Sequence, residues 1–157
     1  MIFVTLGSQK FQFNRLLKEI DELIAKGKIQ EKVFAQTGFS DYIPQNYEFK
    51  NYLDREEFSS IMEQCNIVIT HGGTGAIIGA VKKGKKVIAI PRLAMYGEHV
   101  DNHQLQLIDE FKELNLIEAV YDLEQLADSL LLCREKVYSR YKTNTNSIIA
   151  SLEKFIG

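Results

Sequence analysis

The sequence predicts a doubly wound α/β domain on a parallel sheet, because six short apolar runs alternate with amphipathic segments along the whole chain. Most of the runs lack the polar alternation of a strand with one wet face, so they read as strands covered on both faces. The 157 residues fit one domain and leave no room for two full ones.

The first run is Ile2–Leu6, and the stripe Phe13, Leu16, Leu17, Ile20, Leu23, Ile24 follows with helical spacing and Gly27 as its C-cap. Lys32–Ala35 and Tyr47–Phe49 are the next two runs. Asp54-Arg55-Glu56-Glu57 is a capping-box sequence ahead of Phe58, Ile61, Met62 and Cys65. Ile67–Thr70 is the fourth run, followed by a stripe of Ile77, Ile78 and Val81 that stops at Gly84. Val87–Ile90 precedes a helix bearing Leu105, Ile108 and Phe111. Leu116–Val120 is the last run, and Asp122-Leu123-Glu124-Gln125 caps a helix with Leu126, Leu130 and Leu131. Strands and helices in this rhythm make right-handed βαβ units. Residues 1–157 are expected to be one domain, with 134–157 a C-terminal helical segment. Its stripe Ile148, Ile149, Leu152, Phe155, Ile156 packs on the sheet, docks on a partner or mediates self-association.

Composition excludes several classes. With 45% apolar residues, ten Gly and two Pro, the chain is neither disordered nor low-complexity. A formal charge of −2 gives no basic excess for nucleic acid. Cys65 and Cys133 sit in helical patterns and read as buried small hydrophobes in a reducing compartment. Met1–Thr5 runs straight into an apolar strand without a basic leader, and no apolar run nears the ~20 residues of a membrane span. The expected place is the cytoplasm.

In a doubly wound sheet, ligands bind beyond the carboxyl ends of the strands. Thr70-His71-Gly72-Gly73-Thr74-Gly75-Ala76 lies between a strand and a helix there. Glycines let a ligand approach the backbone, the helix N-terminus offers N–H groups to phosphate, and Thr74 is placed to cap the helix or to donate. The other reading is a tight turn with glycines placed for packing. No Gly-Lys-Ser/Thr follows, so this is not a P-loop, and Gly7-Ser8-Gln9 carries no dinucleotide fingerprint. Glu98-His99-Val100-Asp101-Asn102-His103-Gln104 gathers carboxylate, amide and imidazole groups suited to sugar hydroxyls. A solvated helix start and a two-histidine metal site are the alternatives, and the latter lacks a placed third ligand.

Ile67–Gly75, Gly84–Pro91 and Asp101–Gln104, with the opening Met1–Gln9 and Phe13–Leu16, resemble the donor-binding half of GT-B glycosyltransferases, in the family 28 C-terminal style. They look most like the small catalytic subunits of two-subunit bacterial exopolysaccharide or capsule β-1,4-galactosyltransferases and of the dolichol-linked UDP-N-acetylglucosamine transferase. The resemblance covers residues 1 to about 120. It implies a Rossmann-like half of a GT-B fold and a reaction moving galactose or N-acetylglucosamine from a UDP-sugar to a lipid-linked glycan, with inversion. It further implies a membrane-anchored acceptor-binding partner at the inner face of the membrane, and neither cofactor nor metal.

By matching position, the resemblance assigns Gly7, Ser8, His71, Gly73, Thr74 and Gly75 to the diphosphate, Tyr52 and Leu53 to the uracil, and Asp101, Asn102, His103 and Gln104 to the donor sugar. His71 is the candidate that stabilises the leaving group, with Glu98 and His99 as candidate general bases. Gly79 stands where many relatives carry a ribose-binding carboxylate. The segment from Pro91 to Asp101 is long enough for a lid. A non-catalytic nucleotide-sugar or scaffold subunit, or a flavodoxin-like module, would share this fold.

Overall fold

Strand β1 (Ile2–Thr5) lies inside an all-parallel sheet with β2 (Val33–Gln36), β3 (Glu48–Lys50), β4 (Ile67–Thr70), β5 (Lys86–Ala89) and β6 (Glu118–Ala119), in the order β3-β2-β1-β4-β5-β6. The computed structural model describes residues 1–141. Helices α1 (Asn14–Ala25), α2 (Arg55–Gln64), α3 (Thr74–Lys82), α4 (His103–Glu113) and α5 (Leu126–Glu135) make the crossovers and the final cover. The fold is the expected Rossmann-like α/β arrangement.

Alternation along each strand sorts the side chains into two cores. Ile2, Val4, Ile67, Ile69 and Ile88 meet Leu16, Leu17 and Ile20 of α1 and Leu126, Leu130 and Cys133 of α5. Phe3, Val68, Val87 and Ala89 point the other way, to Met62 of α2, Ile77, Ala80 and Val81 of α3, and Ile108 and Phe111 of α4. Leu16, Leu17 and Ile20 are fully buried, each contributing roughly 1.5–3 kcal/mol of transfer free energy to seating α1. Both faces being covered explains why the central runs are apolar throughout. The edge strands are shorter or shifted: β3 exposes Glu48 and Lys50, and β6 keeps only two of the five residues expected for it.

Local chemistry sets the ends of the elements. Asp54 caps α2 by accepting a hydrogen bond from the Glu57 N–H at 2.8 Å. Asp122 caps a short 3₁₀ turn, Leu123–Gln125, that leads into α5. Cys65 and Cys133 are buried free thiols. The helix expected within 134–157 is described only as far as α5, which ends at Glu135, and the stripe from Ile148 to Ile156 lies outside the described residues. Among the described residues no helix is long and apolar enough to cross a membrane.

Candidate functional site

The strand order reverses direction between β1 and β4, so the loops leaving these strands part to opposite faces and open a crevice at the carboxyl edge. Gly7 and His71 stand on these two loops. Beneath them runs a buried polar row in one register across β2, β1 and β4. Thr70 Oγ1 donates to the Thr5 carbonyl at 2.7 Å, and Thr5 Oγ1 donates to Gln36 Oε1 at 2.9 Å. These two bonds tie the three strands together beneath the crevice.

His71 fills the crevice. A Cβ on Gly73 would stand 2.3 Å from His71 Cε1, and one on Gly7 (φ +72°) 2.9 Å from His71 Nε2. A Cβ on Gly72 would stand 2.5 Å from Gln104 Cβ and 3.0 Å from the Gln104 carbonyl oxygen. Packing therefore already accounts for Gly72 and Gly73, because these glycines make room for the protein's own His71 and Gln104. Gly75 differs, since it is exposed in the first turn of α3 with open space where a side chain would be.

Helix α3 begins at Thr74 with Gly73 as N-cap, so Thr74 is not the cap that the sequence suggested. No side chain caps the helix and its first turn holds no acidic residue. The orphan N–H groups of this turn and their share of the helix dipole thus favour an anion. His71 is neutral beside them. Burial, then the neighbouring charges of Arg92 and His99, drive its imidazole down to about 3, against a smaller upward pull from Gln104. Ser8 is exposed on the loop just after Gly7.

Arg92 and Arg15 organise the rim, and the sequence reading identified neither. Arg92 is 1% exposed and donates to the carbonyls of Leu6 (2.5 Å), Phe11 (2.8 Å) and Gln12 (3.3 Å), binding the loop after β1 to the loop after β5. Its guanidinium stands 5.3 Å from the centre of the Phe13 ring. Desolvation pulls it down to about 10, still charged at neutral pH. Arg15 grips Glu98 through two 3.0 Å hydrogen bonds and stacks 4.5 Å above the Tyr96 ring.

Glu98 is fully buried, and its Oε1 also accepts from the Leu93 N–H at 3.1 Å. This corrects its candidacy as a general base, because a sequestered carboxylate with both oxygens occupied cannot meet an acceptor hydroxyl. It acts as a latch instead. The segment expected as a lid is held to α1 by this pair and to the loop before α1 by Gln12 Nε2, which donates to the Tyr96 carbonyl at 2.9 Å. Glu98→Gln should lower stability by about 2 kcal/mol in urea unfolding, the scale of a charged hydrogen-bond pair. A loss below about 0.5 kcal/mol would make the latch irrelevant.

The expected sugar readers divide. Asp101 sits between His99 Nδ1 (3.2 Å) and His103 Nδ1 (3.4 Å), and the His103 N–H, with both imidazoles, holds its carboxyl below the ordinary range. His99 lies 5.1 Å from the Phe11 ring, and Asn102 Oδ1 accepts from the Ala94 N–H. Gln104 departs from expectation: it is buried, its Oε1 accepts from the Gly72 and Arg92 N–H groups and its Nε2 faces His71 Nδ1, so its amide is engaged chiefly within the protein.

Tyr52 is exposed on the loop after β3, three strand spacings or roughly 14 Å from the loop after β4. Leu53 packs into the α2–α4 core. The loop after β3 is joined to the crevice through the loop after β2. Gly38 donates its N–H to the Asn51 carbonyl, and a Cβ on Gly38 would lie 2.7 Å from the Gly7 carbonyl oxygen. Gly79 is exposed on α3 with open space around it. Among the described residues no three His, Cys, Asp or Glu side chains form a metal cluster. A groove of about 740 Å³ lies at the opposite, amino end of the sheet, between Val81–Lys86 and Arg134–Tyr141. Lys85 there is spent on backbone carbonyls of Glu63 and Cys65, and Lys86 on that of Arg134.

Residues 1–156 match the glycosyltransferase family 28 C-terminal domain. The UDP-N-acetylglucosamine transferase subunit ALG13 of Kluyveromyces lactis is 32% identical over 71 residues, 45% of this chain and 34% of that protein. Its Candida albicans counterpart is 31% identical over 70 residues, 43% of this chain and 22% of that protein. The matched stretch thus spans about a third or less of these relatives. The solution structure of ALG13 superimposes with a TM-score of 0.61 at 20% identity, over 99% of this chain and 96% of that one. The glycosyltransferase of kitacinnamycin gives 0.61 at 16% identity, over 99% and 38%, and Acinetobacter baumannii MurG gives 0.55 at 13%, over 96% and 49%. At these identities the structures speak for the fold.

Proposed function

The chain belongs to the glycosyltransferase family 28 C-terminal domain family, and on that premise we propose that it is the donor-binding, catalytic subunit of a split, inverting glycosyltransferase. The donor is a UDP-sugar, carrying galactose or N-acetylglucosamine, and the acceptor is a lipid-linked glycan in exopolysaccharide or capsule synthesis. A membrane-anchored partner subunit supplies the acceptor site and recruits this cytoplasmic chain to the inner face of the membrane. The observation that carries the reading is the uncapped N-terminus of α3 at the switch point, with neutral His71 beside it and open space above Gly75.

That arrangement suits the departure of UDP. As the bond between the anomeric carbon and the diphosphate breaks, negative charge grows on the leaving oxygens. Fixed N–H groups and a neutral imidazole N–H meet that charge without reorganising, so the site needs no metal or cofactor. Ser8 and Gly7 border the same space from the β1 loop, and the loop after β3, with Tyr52 exposed and Leu53 packed against the core, is the side the uracil would take. Asp101, Asn102 and His103 are left to read the sugar, and His99 is the remaining candidate base on this chain. Six large apolar side chains (Phe39, Ile43, Tyr52, Met95, Tyr96 and Val100) are exposed on the loops after β2, β3 and β5. Their crowding at this edge supports a second domain closing over the site.

Gly75→Ala separates binding from folding. A methyl there enters open space in a helix, so stability should hold or rise by about 0.5–1 kcal/mol. The same methyl narrows the approach to the N–H groups, so UDP affinity by calorimetry should fall by about tenfold or more, the equivalent of ~1.4 kcal/mol. Unchanged UDP affinity removes the diphosphate from this turn. A labelled-sugar transfer assay with and without the membrane partner then distinguishes catalyst from scaffold.

A further inference from the structure

Gln104 occupies a place where its amide has only one workable orientation. Two backbone donors face one end of it, the Gly72 N–H at 3.0 Å and the Arg92 N–H at 3.1 Å. Neither group can accept, so Oε1 must be the atom that meets them. The NH₂ end is then left pointing at His71 Nδ1, 3.1 Å away. An amide NH₂ only donates, so Nδ1 must carry a lone pair and the ring proton must sit on Nε2. The Nε2 edge looks out between Gly7 and Gly73, the two positions where a Cβ would stand 2.9 and 2.8 Å from it. Among the described residues no hydrogen bond occupies Nε2.

We propose that Gln104 is a positioning residue that locks His71 as the Nε2–H tautomer, so that the imidazole presents a donor, and not a lone pair, to an anionic oxygen at the mouth of the Gly7–Gly73 gap. The proposal rests on the reading of this crevice as a diphosphate site. The opposite tautomer would turn a lone pair toward the anion and repel it. Because the two backbone donors come from the loops after β4 and β5, the amide also ties the geometry of both loops to the protonation pattern of one ring. Gln104 then acts through His71, with its Oε1 and one N–H of its amide spent inside the protein and its side chain buried.

The test begins with the wild-type chain and needs no variant. Long-range ¹H–¹⁵N correlation spectra of the labelled protein assign the His71 tautomer, and Nε2–H is expected; Nδ1–H overturns the proposal. The near-isosteric Gln104→Glu then reverses the demand. Its carboxylate still accepts from Gly72 and Arg92, but it now requires a proton on Nδ1. At about pH 8 the variant should show Nδ1–H and bind UDP about tenfold or more weakly, and at about pH 6 uptake of a second proton should restore an Nε2–H and close most of that gap. The quantity read is the ratio of wild-type to variant affinity, in which UDP's own protonation cancels. The charged and titratable groups facing the ring, Arg92 and His99, are common to both proteins. A gap that stays constant with pH overturns the proposal, since general damage or charge repulsion alone would give that. So does a variant with unchanged UDP affinity and altered discrimination between UDP-galactose and UDP-N-acetylglucosamine, which would make Gln104 a sugar reader. Wild-type protein with the Nε2–H tautomer but no UDP binding overturns the diphosphate reading itself, whereas UDP binding with the Nδ1–H tautomer overturns this proposal alone.

Discussion

Arg92→Met should cost about 3 kcal/mol of stability and remove most UDP affinity. The guanidinium is the donor for the carbonyls of Leu6, Phe11 and Gln12, and its distance to the Leu6 oxygen is 2.5 Å. Methionine fills much of the volume but donates nothing. Each carbonyl left without a partner costs about 1–3 kcal/mol if it stays dry. Removing a buried charge returns part of its desolvation cost, and Phe11 and Gln12 are only half-buried, so the net falls well short of three full penalties. The binding loss should exceed the stability loss in consequence. Freed from Arg92, the loop from Gly7 to Gln12 no longer keeps its place beside the N-terminus of α3. Arg92→Lys should fall between, because an ammonium on a flexible stem cannot reach all three oxygens at once. Urea unfolding and UDP calorimetry on the three proteins check this. A Met variant within about 1 kcal/mol of wild type and with full UDP affinity would remove Arg92 from the architecture of the site.

Acid should destabilise the fold through His71. Unfolded, the imidazole takes up a proton near its ordinary value of 6.5; folded, it does so only near 3, because burial and the neighbouring Arg92 and His99 oppose the charge. Between these values the unfolded state binds more protons, so stability falls as the pH falls. The contribution is absent above the unfolded value. The slope approaches about 1.4 kcal/mol per pH unit, or on the order of 5 kcal/mol across the window. His71→Asn removes this titration. Urea unfolding of both proteins at a series of pH values should show the wild-type curve falling away from the variant's below about pH 6. Parallel curves would mean that His71 protonates in the folded protein without resistance, and that the ring is not held as the structure shows.

The sequence by itself determined the order and type of the elements. A parallel strand covered on both faces must be apolar at nearly every position, and a helix lying on a sheet must carry a stripe every three or four residues. Both rules are local, so Ile67–Thr70 and the α1 stripe show them without any partner being known. The edges were less legible. Lys50 and Glu48 alternate outward where only one side is packed, and β6 is held by two residues. The place of the glycine turn after β4 was also legible, since the strand–turn–helix pattern alone puts it at the carboxyl edge.

The tertiary structure alone decided what the polar residues do. Arg92 meets Leu6 across 86 positions and Arg15 meets Glu98 across 83, and no local pattern carries information over such spans. For that reason Glu98 and Gln104, which look like free polar groups in the chain, are a latch and a tautomer lock in the fold. Burial also changed the meaning of the glycines: Gly72 and Gly73 are small because Gln104 and His71 occupy the adjacent space. A side chain's chemistry is written in its residue type. Its availability depends on which atoms the closed crevice leaves unpaired, and that is settled only when distant loops meet.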